Sequence, residues 1–161
     1  MGDLLVAAEV FLLSLLPSFE GRYAILYGVA LGLEPLTSLA LATAGVATLS
    51  LALPYLLPYI DSLMEALSRS SYKSVSRVAA AYLRYVGGVR SRVSRYVSRW
   101  GYLGLAIFVA IPLPGTGVWT GSIAAYVLGM ERRKSLLALI AGGLASNIIT
   151  FIPAYVASAA G

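Results

Sequence analysis

Apolar residues fall in long blocks separated by short polar links. Residues 4–33 are apolar except for Glu9, Glu20 and Arg22, and the link Glu34-Pro35-Leu36-Thr37-Ser38 follows. Residues 39–60 carry no charge and suffice to cross a hydrocarbon core of about 30 Å as a helix. Residues 61–100 break the pattern, with Asp61 and Glu65 followed by Arg69, Lys73, Arg77, Arg84, Arg90, Arg92, Arg95 and Arg99. Residues 101–130 are uncharged, Glu131-Arg132-Arg133-Lys134 forms a second charged link, and residues 135–160 are uncharged and again long enough to span. The blocks predict an all-α integral membrane protein, one domain over residues 1–161, with repeat 1 at about 4–60, a basic linker at about 61–100 and repeat 2 at about 101–160.

Within the linker, Val75, Val78, Tyr82, Val86, Val89, Val93, Tyr96 or Val97, and Trp100 recur every three or four residues. That spacing lays them on one helical face, with Arg and Ser on much of the rest. It predicts an amphipathic interfacial helix on an anionic leaflet, Trp100 and the tyrosines at headgroup depth. A partner-helix surface is the alternative. Gly87-Gly88 is expected to break or bend this helix.

The two halves resemble each other at an offset of 97. Pro17 falls on Pro114, Leu31-Gly32 on Leu128-Gly129, Glu34 on Glu131, Ser38-Leu39 on Ser135-Leu136, and Ala44-Gly45 on Ala141-Gly142. An internal duplication is expected, as in many membrane transporters whose site lies where the repeats meet.

Two topologies fit the blocks. Four plain spans would put residues 69–99 and Arg132-Arg133-Lys134 on opposite sides, against the positive-inside rule. Re-entrant hairpins over 4–33 and 101–130 would put every Lys and Arg except Arg22 on one, cytoplasmic, face. The repeats would then be inverted, each a hairpin followed by one span. The hairpin centres read Leu16-Pro17-Ser18-Phe19-Glu20-Gly21-Arg22 and Ile111-Pro112-Leu113-Pro114-Gly115-Thr116-Gly117. Pro17, Gly21, Pro112 and Pro114 are the expected breaks. Broken backbone at membrane depth survives only inside protein or along a wet cavity; two Pro-kinked spans are the alternative.

Composition narrows the function. Of 161 residues, 59% are apolar and 12% charged, about half the roughly 25% usual for soluble domains; mean hydropathy is +0.83. The net charge is +5, which in so apolar a chain points to membrane topology rather than nucleic acid. With no His and no Cys, a His-based triad, the usual zinc and haem or iron–sulfur ligation and disulfides are excluded. The acids are too scattered for a carboxylate metal cluster. No cofactor and no enzyme activity are expected, since no nucleophile–base pair is visible. Met1-Gly2-Asp3, with no Lys or Arg before Arg22, does not read as a signal peptide, and Val6 stands where myristoylation needs Ser or Thr. The expected location is the cell (inner or plasma) membrane, with residues 69–99 and 132–134 cytoplasmic.

Glu20 and Arg22 are the leading candidates for chemistry, because ionisable groups deep in an apolar segment are costly and usually functional. A Glu there can take up and release a proton, and an Arg can hold a phosphate or carboxylate bidentately. An internal ion pair is the plain alternative. In the second tip, Gly115 and Gly117 let amides face a ligand, and Thr116 is expected to cap the half-helix that follows. Packing between small residues also explains Gly117 and Gly121, or Gly28 and Gly32. The tip lacks the Lys of a phosphate-binding loop, so nucleotide hydrolysis is not indicated. Asn147 is the best cavity candidate in the last span, beside Ser146 and Thr150, although interhelical hydrogen bonding would explain it equally. Glu9 is placed near the outer interface or inside the hairpin.

Pro17, Glu20-Gly21-Arg22, the run Ile111-Pro112-Leu113-Pro114-Gly115-Thr116-Gly117-Val118-Trp119-Thr120-Gly121, then Leu128-Gly129, the basic link and Ala141-Gly142-Gly143 resemble the small multidrug export protein family over nearly the whole chain. That family looks like a distant branch of the DedA superfamily, also called VTT or SNARE-associated proteins. The resemblance implies two facing re-entrant hairpins, each followed by a tilted span, and proton-motive-force-dependent flipping of polyprenyl phosphates or related lipids. It implies importance for acidic residues of the first hairpin and arginines of the second. Glu20 matches the former. The run Phe108–Gly121 contains no Arg, so Arg22 is the only substitute at hand.

The expected function is proton-coupled translocation of an amphiphilic lipid, with Glu20, Arg22, Gly115, Thr116, Gly117 and Asn147 at the site. Membrane lipids are the surroundings, and a homodimer is possible. Export of hydrophobic cations is the alternative, in which Glu20→Gln abolishes binding and Arg22→Ala does not; a lipid phosphate reverses that order. A non-transport, membrane-shaping protein would instead depend on Arg90, Arg92, Arg95 and Arg99.

Overall fold

The computed structural model describes residues 2–17 and 19–159, apart from the side chains of Tyr96 and Ser98; Ser18 of the first tip lies outside the described residues. All regular structure among them is helical: α1 (Gly2–Ser14), α2 (Glu20–Ala30), α3 (Pro35–Ser68), α4 (Lys73–Ala110), α5 (Val118–Val127) and α6 (Arg132–Ala159). Two of these, α3 and α6, are long and apolar enough to cross a membrane.

The blocks 4–33 and 101–130 are each two helices folded back on one another. In the first, the Leu16 carbonyl accepts the Glu20 amide at the tip, and farther back Val10 meets Gly28 and Glu9 meets Tyr27. In the second, the Tyr102 hydroxyl accepts the Glu131 amide, and Leu105 and Val109 meet Gly121. Pairs that lie farther apart in sequence as they recede from the tip define antiparallel hairpins, so neither block is a single kinked span. Pro112 and Pro114 sit in the second tip, where the missing N–H costs no helical bond.

The offset of 97 runs through the architecture. Pro35 and Arg132 start α3 and α6; Glu20 starts α2, and Gly117 is the residue before α5. Gly32 and Gly129 both take positive φ in the links, as do Glu20 and Gly117 in the tips. The α3 start is capped by Glu34, whose carboxylate accepts the Thr37 amide, with Pro35 in the first turn.

Contacts between α3 and α6 form the centre. Gly143 lies against Val46 and Val118, and Gly142 against the Ala106 carbonyl and Val109. Small residues in these helices admit close backbone approach where apolar collapse cannot drive association in lipid. Val46, Leu53, Leu57, Val89, Val93, Leu105 and Leu139 pack one core, and Val10, Ala24, Ile25 and Ala42 a smaller one. Outside it the molecule stays apolar: Leu4, Leu51, Tyr59, Leu137, Ile152 and Val156 are exposed, a surface suited to lipid.

The linker departs from expectation in three ways. Residues 61–68 continue α3, and α4 begins only at Lys73; the kink at Gly101 divides its amphipathic part from the apolar stretch that reaches Ala110. Gly87-Gly88 does not break it; the non-helical residue is Gly101 (φ 54°, ψ −129°). Val86, Val89 and Val93 anchor the helix to the core on both sides of the glycine pair, and this packing outweighs weak helix propensity. The middle of the apolar face therefore covers protein, while Val75, Val78 and Trp100 are exposed, as are Arg69, Lys73, Arg77, Arg84, Arg90, Arg92, Arg95 and Arg99.

Candidate functional site

The first tip ends at Glu20, which takes φ 51°, a conformation bulky L-residues rarely adopt. This turns its carboxylate across to the second hairpin. Oε2 accepts the Val118 amide and Oε1 the Trp119 amide, each at 3.2 Å. Both are free N–H groups of the first turn of α5. A carboxylate at a helix N-terminus also meets the positive end of its dipole. The N-cap of α5, Gly117, contributes no side chain, and Thr116 is not the cap that the sequence suggested. Its hydroxyl instead donates within its own tip, to the carbonyls of Ile111 and Leu113. Glu20 does that work from 98 residues away, because Gly117 at φ 119° leaves room for it. A Cβ there would collide with the Glu20 carboxylate and the Arg22 guanidinium.

Arg22 lies two residues along α2. Its Nη2 donates to Glu20 Oε2 at 3.4 Å and to the Thr116 carbonyl; Nη1 donates to the carbonyls of Ile111 and Leu113 at 3.1 and 2.9 Å, and to Thr116 Oγ1 at 3.2 Å. It thus collects the carbonyls around the end of α4 that have no helical partner. The Trp119 indole completes the exchange by donating to the Leu15 carbonyl at 3.0 Å. Each tip therefore finishes the other's hydrogen bonding. Glu20 and Arg22 are 5% and 3% exposed, so the pair sits in surroundings where an unmet charge is costly.

Of the expected site residues, Glu20, Arg22, Thr116 and Gly117 come together. Gly115, with Pro17, lines the adjoining cavity. Asn147 lies behind the first tip, packed on Gly21 and donating to Thr43 Oγ1 at 3.4 Å, and not in the cavity. Thr150 donates to the Ser146 carbonyl. Glu9 accepts the Tyr27 hydroxyl on the exposed flank of the first hairpin.

The cavity is about 350 Å³. Glu20 and Trp119 line it together with Leu57 and Ile60 of α3, Tyr82 and Tyr85 of α4, and Thr120 and Ile123 of α5. Tyr85 and Thr120 share a hydrogen bond of 2.9 Å. The Tyr82 hydroxyl is buried without a partner among the described residues. An apolar, aromatic chamber with one carboxylate suits a hydrophobic cation, held by charge and by ring faces. Tyr82, Tyr85 and Trp119 were not singled out as site residues from sequence. The signal for Tyr82 was present, since it lies on the apolar face of the linker helix, but so did its core-packing neighbours.

The family model described as "Putative small multi-drug export protein" matches residues 20–149. No curated protein and no solved structure matches the chain.

Proposed function

The chain belongs to the small multi-drug export protein family, and from that premise we propose that it exports hydrophobic organic cations across a cell membrane, with proton and substrate contesting Glu20. The observation that carries this is the acidic Glu20 in the lining of an apolar, aromatic chamber. In this reading α3 and α6 cross the membrane and the two hairpins re-enter from opposite sides, making the repeats inverted. Their limbs are too short to do otherwise: α2 has 11 residues and α5 has 10, and at about 1.5 Å per residue each covers roughly half of a hydrocarbon core. Residues 69–99 and 132–134 then share the cytoplasmic face, and the chamber lies toward that face, where α4 lines it.

Glu20 joins the two tips while it is ionised. A proton or a cationic substrate on that carboxylate weakens its hold on the α5 amides and on Arg22. One repeat is then free to rock against the other and expose the chamber to the opposite side. Release of the cation outside and reprotonation of Glu20 would return the empty carrier.

Flipping of a lipid phosphate is less well supported, because Arg22, the cation it would need, does not line the chamber, whereas Glu20 does. The test is tetraphenylphosphonium movement in proteoliposomes under an imposed pH gradient. Wild-type and Arg90→Gln protein should drive accumulation against the substrate gradient, and Glu20→Gln should not. Wild-type transport by Glu20→Gln, or movement of a fluorescent lipid phosphate in place of the cation, would overturn the reading.

A further inference from the structure

A second cavity, of about 200 Å³, lies at the start of α6, away from Glu20. Ser122 and Ser135 line it, each 1% exposed. Neither hydroxyl has a hydrogen-bond partner among the described residues. Other buried serines, such as Ser38 and Ser50, also lack such a partner, but these two adjoin an open space that an occupant with hydrogen-bond acceptors can fill. Arg132 is exposed at the rim, its guanidinium 5.4 Å from the Tyr55 ring centre. Tyr126 also lines the space, but its hydroxyl is turned away to Asp61 at 3.2 Å. The remaining walls are Pro54, Ala125 and the link at Gly129-Met130.

The matching corner of the first repeat indicates the ligand's charge. Ser38 stands where Ser135 stands, 97 residues earlier, and is likewise buried. There the space is closed, because Gly28 packs so tightly on Ser38 that a Cβ would strike the hydroxyl. Ala125 holds Gly28's place in the second repeat and lines the open cavity. At the α3 start, the Glu34 carboxylate accepts both the amide and the hydroxyl of Thr37. Its counterpart Glu131 is drawn to the Lys134 ammonium at 2.8 Å. The Ser38 hydroxyl has no partner among the described residues either, but it has no open space beside it, and its helix start carries a capping carboxylate; the second repeat offers a cavity beside two such hydroxyls, with an arginine at its edge.

We infer that this cavity is an anion site for a phosphate group, with Ser122 and Ser135 donating to its oxygens, Arg132 supplying the charge and the α6 N-terminus facing it. Such a phosphate is either a free anion or the headgroup of an anionic lipid. The site is independent of the transport reading.

The test titrates the purified full chain in neutral detergent with inorganic phosphate and, separately, with dihexanoyl phosphatidic acid, following heat of binding. Ser122→Ala with Ser135→Ala, and Arg132→Gln alone, should each weaken binding at least tenfold. Arg133→Gln, an exposed neighbour, should leave it within twofold. Ser-to-Ala changes remove the hydroxyls without adding bulk, and unchanged thermal unfolding of the variants checks that the fold persists. Saturable binding of both probes, each lost in the variants, assigns the site to the phosphate group itself. Lipid-only binding with the same losses assigns it to a headgroup, and phosphate-only binding to a free anion. No binding of either probe, equal binding by wild type and variants, or an equal loss in Arg133→Gln overturns the proposal.

Discussion

Glu20 holds a left-handed backbone conformation that costs a residue of its kind about 1–3 kcal/mol. Its carboxylate offsets that cost by capping α5 and pairing with Arg22. Glu20→Ala would leave the Arg22 charge buried and two amides uncapped, and a loss of about 3–5 kcal/mol is expected, read as a lower thermal unfolding midpoint. Glu20→Gln keeps an acceptor for one amide and should unfold much closer to wild type while losing transport; equal stability of all three proteins would contradict the capping role. Gly117→Ala faces the same carboxylate from the other side. It combines a positive φ with a collision, so it should lose both stability and transport. The sequence marks Glu20 and Arg22 as costly charges in an apolar block. It gives no sign of their partners, because backbone groups about a hundred positions away carry no side-chain signature.

Helix boundaries follow from which local preferences packing overrides. The glycine pair in α4 looks like a break, yet the helix is continuous there, held by valines on both sides. Gly101 looks ordinary and is where the helix departs from its path. The two sites predict opposite effects. Gly87→Ala adds a methyl group into open space within a helix and should stabilise by about 0.5–1 kcal/mol. Gly101→Ala also meets no atom, yet it should cost about 1–3 kcal/mol through its φ of 54°. Thermal unfolding of both variants checks the pair; stabilisation by Gly101→Ala would place the turn into the second hairpin elsewhere. Trp119→Phe tests the contact between hairpins: it removes the bond to the Leu15 carbonyl and should cost about 1 kcal/mol. The amphipathic period of residues 75–100 is legible because it is a helix, but periodicity cannot say whether protein or lipid covers its apolar face. In the folded chain, protein covers the middle.

At the scale of the whole molecule, the offset of 97 is readable from a handful of matched residues, and the helix starts follow it. Glu20 and Gly117, related by that offset, come to touch because the two tips meet. Membrane orientation makes a separate prediction, and the absence of natural cysteines makes it easy to check. Single cysteines at the exposed positions Leu36, Ser74 and Arg133 should divide under an impermeant thiol reagent, with Ser74 and Arg133 labelled from the cytoplasmic side and Leu36 from the other. Labelling of Arg133 together with Leu36 would mean that the second hairpin crosses the membrane.

Competition between proton and cation at Glu20 is read most directly through Trp119, whose amide binds that carboxylate and whose ring lines the chamber. Trp100 is the only other tryptophan, so Trp100→Phe leaves a single reporter. Tetraphenylphosphonium should change its emission saturably. The apparent Kd should rise as pH falls, up to tenfold per pH unit once Glu20 is protonated, since only the ionised carboxylate pairs with the cation. Glu20→Gln in the same background should show neither saturation nor pH dependence. A pH-independent Kd in the parent, or unchanged binding in Glu20→Gln, would contradict the assignment of Glu20 as the shared site.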